Sequence, residues 1–165
     1  MLRPLGVDRR ALRGNDLRSR NEIALAWLWV VAWIALVQIF ASGSFSASET
    51  SRFIGPLLHR LFPNASAESV ATAHFAIRKA GHLVEYAILA LLALRAFRSS
   101  LDRPLAWHAA ASLSLALAVA VVDELRQAAA ANRTGALSDV ALDISGAASA
   151  LALAGATRRF WDVRT

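Results

Sequence analysis

Four apolar stretches dominate the chain, and each is long enough to be a helix rather than a strand. The first covers residues 23–41, from Ile23 to Ala41, with Gln38 as its one polar side chain. At ~1.5 Å per residue a helix of this length crosses a hydrocarbon core of ~30 Å. Trp27, Trp29 and Trp33 suit interfacial or lipid-facing positions within it. The second stretch, about 77–97, carries Arg78, Lys79, His82 and Glu85 in its first turns, and only Ala87 to Leu94 is cleanly apolar. The third, about 105–124, is apolar from Leu105 to Val122. The fourth, about 137–156, carries Asp139 and Asp143, and its small residues Ser145, Gly146, Ala147, Ala148 and Ser149 permit close helix–helix approach. The pattern predicts an all-α protein, an integral membrane bundle of four transmembrane helices. A signal peptide also places an apolar run behind a basic N-terminus, but its apolar core spans ~7–15 residues. The longer run here predicts a retained helix.

The connection 42–76 is long. Ser42 to Ser51 is small and polar and reads as a loop. Phe53, Ile54, Leu57, Leu58 and Leu61 then recur at helical spacing before Pro63, and Ser66 with Glu68 forms a capping pattern ahead of another apolar stretch. These features predict two short amphipathic helices lying at the membrane interface, with a compact irregular loop as the alternative. The organisation is thus a basic N-terminal segment, 1–22, one membrane domain, 23–157, and a short tail, 158–165.

Charge gives this bundle an orientation. The chain has 165 residues, 56% hydrophobic, with a net charge of +6, and Lys79 is its only lysine. A basic balance can mark a nucleic-acid binder, but these arginines sit between apolar runs, so no nucleic-acid partner is expected. Arg3, Arg9, Arg10, Arg13, Arg18 and Arg20 precede the first stretch; Arg95, Arg98 and Arg103 separate the second from the third; Arg158, Arg159 and Arg164 follow the fourth. The other two connections are near neutral. The positive-inside rule therefore predicts both termini in the cytoplasm. The arginine- and alanine-rich composition suggests a bacterium of high GC content, hence the bacterial cytoplasmic (inner) membrane. Absence of cysteine excludes disulfides, thiolate metal sites and a cysteine nucleophile.

The intramembrane charges fall into three groups. Arg78, His82 and Glu85 stand at i, i+4 and i+7, on one helix face; Asp123 and Gln127 share a face next to Glu124; Arg133 precedes Asp139, Asp143 and Gly146, again at i, i+4 and i+7. By the predicted topology all three lie toward the outer side, with Glu85 roughly 10–12 Å below the start of its helix and Asp143 about 6 Å below Asp139. Ionisable groups at such depth cost a few kcal/mol and must find partners in the bundle interior. Two readings follow. One is a buried ion network that fixes helix register. The other is a polar pocket opening outward, whose Arg78, Lys79 and Arg133 suit an anionic headgroup such as phosphate or carboxylate. No metal is expected, because His82 is the single well-placed histidine. His59 and His74 read as interfacial, Trp107 and His108 as interface anchors at the start of the third helix, and Phe160 and Trp161 likewise after the fourth.

The string Ile77-Arg-Lys-Ala-Gly-His-Leu-Val-Glu-Tyr-Ala-Ile-Leu, then Asp123-Glu-Leu-Arg-Gln, Arg133 and Ser138-Asp-Val-Ala-Leu-Asp-Ile-Ser-Gly146, resembles the VanZ-like family. The resemblance spans about Phe53 to Gly146, with Leu61-Phe62-Pro63 also fitting. It departs at Ala129, where a bulky apolar residue is usual, and at Ala150, where a second glycine is usual. The resemblance picks out Arg78, Lys79, His82, Glu85, Tyr86, Glu124, Gln127, Arg133, Asp139, Asp143 and Gly146. It implies a small bacterial membrane protein of a family whose name comes from a protein associated with resistance to the glycopeptide teicoplanin, and it supplies no reaction and no cofactor.

The leading expectation is a membrane protein of the cell envelope that binds an anionic lipid-linked or peptidoglycan-related group. Arg78, Lys79 and Arg133 would hold the anion, Glu85, Glu124, Asp139 and Asp143 would orient those cations, and Gln127 would donate hydrogen bonds. A second is a hydrolase or transferase of a phospholipid or polyprenyl phosphate, with His82 as general base or nucleophile oriented by Glu85 or Asp139. The strings lack the Ser-Gly-His and second-histidine pattern of lipid phosphatases, so an enzyme is not favoured. A third is a small proton-coupled transporter with Glu85 and Asp143 as relay groups, which four helices would support best in a homo-oligomer. Membrane lipids are expected partners throughout.

Overall fold

The computed structural model describes residues 9–40, 47–129 and 137–162. Those residues form five helices: α1 (Arg9–Phe40), α2 (Ala47–Leu61), α3 (Ala67–Ser100), α4 (Leu105–Ala129) and α5 (Leu137–Asp162). Four segments are long and apolar enough to cross a membrane: Ser19–Phe40, Ala67–Ser100, Leu105–Ala129 and Leu137–Thr157. The expected all-helical bundle with four spans is therefore present.

The connection between the first two spans differs from expectation. One short helix, α2, stands apart. The second is not separate: it forms the first turns of α3. Pro63 stops α2, Phe62 N–H donates to Leu58 O at 2.8 Å, and Ser66 then caps the new helix by accepting from Ser69 N–H at 3.2 Å. Past that cap nothing interrupts the backbone ladder. The charges at Arg78 to Glu85 limit hydropathy, but they do not break a helix, so α3 runs on for 34 residues, or ~51 Å. Glu85 is consequently ~27 Å from the start of its helix rather than 10–12 Å. At its other end Leu101 N–H closes on Phe97 O at 3.0 Å, and α4 begins after Pro104.

α3 is the hub and packs on α1, α2, α4 and α5, most extensively on α5. Its neighbours each turn one stripe toward it: Ala26, Val30 and Val37 on α1; His108, Ser112, Ala116, Val119, Ala120 and Asp123 on α4. The core between them includes Tyr86, Leu89 and Ala90 of α3 and Ala147 of α5. Much of it is alanine, because lipid gives helices no hydrophobic reason to associate and close backbone packing must hold them. α5 comes close to α3 at Gly146, where an added Cβ would lie 2.3 Å from Leu83 O and 2.9 Å from Leu83 Cα. Of the other small residues in this stretch, Ala147 is buried, whereas Ser145, Ala148 and Ser149 are exposed.

Large apolar side chains also cover the outside of the bundle: Leu28 is 61% exposed, Val122 52% and Leu153 66%. A surface apolar on all sides suits lipid rather than water as its solvent.

Candidate functional site

The polar strings meet at one end of the bundle. α3 and α5 run parallel there, as the order of their contacts requires: Lys79 with Asp139, then His82 with Asp143, then Leu83 with Gly146. Lys79 Nζ donates to Asp139 Oδ1, which also accepts from Ser138 Oγ at 3.3 Å, and the ammonium lies 5.4 Å from the Phe75 ring centroid. Both charged side chains keep about a third of their surface exposed.

One turn deeper the surroundings are drier. Asp143 is 4% exposed and its Oδ1 lies 3.3 Å from His82 Nδ1. That is an ion-pair distance without hydrogen-bond alignment, since neither atom has a hydrogen-bond partner among the described residues. Tyr86, a turn beyond His82, is fully buried, and its hydroxyl is also unpartnered among the described residues. Asp123 of α4, 4% exposed, accepts from Gln127 Nε2 at 2.9 Å. Asp143 lies within electrostatic range of His82, Glu85, Tyr86 and Asp123. Lys79 to Glu85, Asp139 to Asp143 and Asp123 to the end of α4 each span roughly 6–9 Å of rise. The cluster is thus a thin polar layer, with α3, α4 and α5 each contributing.

Among the expected site residues, the structure brings together Lys79, His82, Glu85, Tyr86, Asp139 and Asp143, and adds Asp123. Arg78, Glu124 and Gln127 are half-buried, and each is engaged in an interaction. Arg133 lies outside the described residues. The expected partners of His82 were Glu85 or Asp139; its ion-pair partner is Asp143, because i, i+3 spacing on α3 and i, i+4 spacing on the parallel α5 keep 79 and 82 in step with 139 and 143. No three His, Asp or Glu side chains among the described residues converge as metal ligands do.

The first span carries none of the charged groups, yet it supports this layer. Trp33 Nε1 donates to Glu85 O at 2.9 Å, and Gln38 Oε1 accepts from Arg126 of α4. Gln38, the lone polar residue of its span, was the available signal. Trp27 also turns inward, donating to Ser100 Oγ at 2.9 Å, so of the three tryptophans only Trp29, 54% exposed, is lipid-facing. His108 is likewise no interface anchor: it is 4% exposed, with Nε2 at 3.0 Å from Leu101 O, and ties the α3–α4 turn.

The family described as VanZ/LLP1 matches residues 24–158, which include every element of this layer. No curated protein and no solved structure matches the chain. With the family match covering most of the chain and all four spans, the protein belongs to the VanZ/LLP1 family.

Proposed function

We propose that this is a bacterial cell-envelope membrane protein whose polar layer binds the anionic head of a lipid-linked or cell-wall-related molecule, on the side that the positive-inside rule assigns to the exterior. One observation carries the reading: Tyr86 Oη, His82 Nδ1 and Asp143 Oδ1 are buried together without hydrogen-bond partners among the described residues. A buried atom with nothing facing it costs about 1–3 kcal/mol unless something completes it, which applies in full to Tyr86 Oη, while His82 Nδ1 and Asp143 Oδ1 face each other at 3.3 Å as an imperfectly aligned ion pair. The chemistry of the three atoms defines the ligand. Tyr86 and His82 donate to an anionic oxygen, whereas Asp143 accepts and so requires a donor. A phosphate monoester carrying a proton, or a phosphate next to a hydroxyl, offers both. Lys79 supplies the attraction, exchanging Asp139 for the ligand. Binding of undecaprenyl phosphate to the detergent-solubilised protein, followed by tryptophan fluorescence, is the test. Undecaprenol, lacking the phosphate, should bind at least about tenfold more weakly, and Tyr86→Phe should lose about tenfold for one charge-assisted hydrogen bond. Equal binding of alcohol and phosphate would sink the proposal. By family resemblance the reading extends to teicoplanin-type glycopeptide resistance, to be checked by growth inhibition of strains expressing wild-type or Tyr86→Phe protein.

The His82–Asp143 pair favours one second reading. An imidazole held beside a buried carboxylate is the arrangement of a general base, here for a hydrolase or transferase of a lipid phosphate. Phosphate release from undecaprenyl phosphate that vanishes in His82→Ala would support it, and binding without turnover would reject it.

A further inference from the structure

We infer that the opposite end of the bundle, at the α3–α4 turn, holds a second site, one for an anionic glycerophospholipid. Two adjoining clefts carry the argument. A polar one of about 420 Å³ is walled by Arg98, Ser99, Asp102, Arg103 and His108, among others. A second of about 410 Å³ is lined by Leu91, Leu94, Arg95, Arg98 and Ser99. Arg98 and Ser99 belong to both, so the two clefts lie side by side. Leu91, Leu94, Arg95 and Arg98 follow helical spacing, and the second cleft therefore runs ~10 Å along one face of α3 into the apolar zone. The combined shape is polar at the bundle end and half apolar along the bundle side, as a phospholipid is.

Charge selects the headgroup. Arg95, Arg98 and Arg103 are exposed, and none forms an ion pair among the described residues. Asp102 is the one carboxylate in the wall, so arginines outnumber acids three to one across the two clefts. The polar cleft also borders the start of α4, where the residue before the helix is Pro104, whose side chain offers no oxygen to the first amides. His108 and Ser100 are already committed, to Leu101 O and to Trp27 Nε1 and Ala96 O respectively. The arginines and the helix end thus remain to meet a phosphate, with Leu91, 42% exposed, against an acyl chain.

The full-length protein, released from detergent, is measured by native mass spectrometry against dioleoyl phosphatidylglycerol and dioleoyl phosphatidylcholine. Phosphatidylglycerol should bind at least about tenfold more tightly, for one to two charge-assisted contacts. Arg98→Gln with Arg103→Gln should remove that preference while the melting temperature stays at the wild-type value, since both side chains are exposed. Leu91→Gln should weaken phosphatidylglycerol, and millimolar inorganic phosphate should not displace it. Equal affinity for the two lipids, or a preference that survives the double substitution, overturns the proposal. Full displacement by inorganic phosphate also overturns it, because the site is then for a free anion. Tyr86→Phe, at the other end, should leave phosphatidylglycerol binding unchanged, which keeps this result independent of the polar layer.

Discussion

Replacing Gly146 by alanine adds one methyl group where α5 meets the backbone of α3. The new Cβ would lie 2.3 Å from Leu83 O, where ordinary contact begins at 3.4 Å. What it meets is backbone in the middle of α3, not the tip of a side chain, so rotamer changes give no relief. α5 must instead recede by about 1 Å or shift in register. Either movement opens the layer one turn away, where His82 and Asp143 stand 3.3 Å apart. Overpacking of this kind costs about 1–3 kcal/mol. At roughly 2–4 °C per kcal/mol for a chain of this size, the melting temperature in detergent should fall by about 2–12 °C. Gly81→Ala is the matched control. It sits in α3 among the same polar residues, yet an added Cβ there meets nothing within 4 Å. It should hold or raise the melting temperature, because alanine is better than glycine in a helix by up to about 1 kcal/mol. Thermal unfolding followed by size-exclusion fluorescence separates the two. Equal melting temperatures for the two variants would refute the close packing of α5 on α3.

Three further outcomes are expected. Lys79→Ala and Asp139→Ala, combined in a double-mutant cycle, should show a coupling of about 0.2–1 kcal/mol, since both partners are about a third exposed, and strict additivity would rule the pair out. Trp33→Phe keeps the ring but removes the donor to Glu85 O, and should cost about 1 kcal/mol of stability; Trp29→Phe, at an exposed site, should cost less, and the reverse order would contradict the inward placement of Trp33. Ser66→Ala should raise deuterium uptake at the Ser69 amide, for a cap worth about 1 kcal/mol, and unchanged uptake there would mean that α3 does not start at that cap.

The spans and the polar cluster were legible because both follow from period and cost. Apolar runs of this length have few other uses, and polar groups at helical spacing on three helices must meet or remain unpaired in lipid. The failures arise where one signal hides another. Arg78 and Lys79 lower hydropathy without weakening helix propensity, so α3 looked as if it began ten residues late. Trp27 and Trp33 have amphipathic side chains that suit a membrane interface and a buried hydrogen bond equally well, and only the position of Ser100 and Glu85 on the neighbouring helix decides. His108 begins α4 in sequence but lies under the turn from α3, a tertiary fact that no local pattern carries.

The same geometry bears on whether the polar layer exists to fix register or to bind. Register needs contacts that are specific and well made. Lys79–Asp139 and the Leu83–Gly146 backbone contact meet that description and set α5 against α3 on their own. The groups between them do not. His82 and Asp143 are close but misaligned, and Tyr86 Oη has no partner among the described residues although it is fully buried. A network built only for register would be better served by apolar side chains at these three positions, because replacing an imperfect buried polar set with hydrocarbon is commonly neutral or stabilising. The two roles therefore separate experimentally. His82→Phe combined with Asp143→Leu and Tyr86→Phe should fold with a melting temperature at or above that of the wild type and lose undecaprenyl phosphate. A collapse of folding in this triple variant would assign the layer to register, whereas a stable protein that no longer binds would assign it to the ligand.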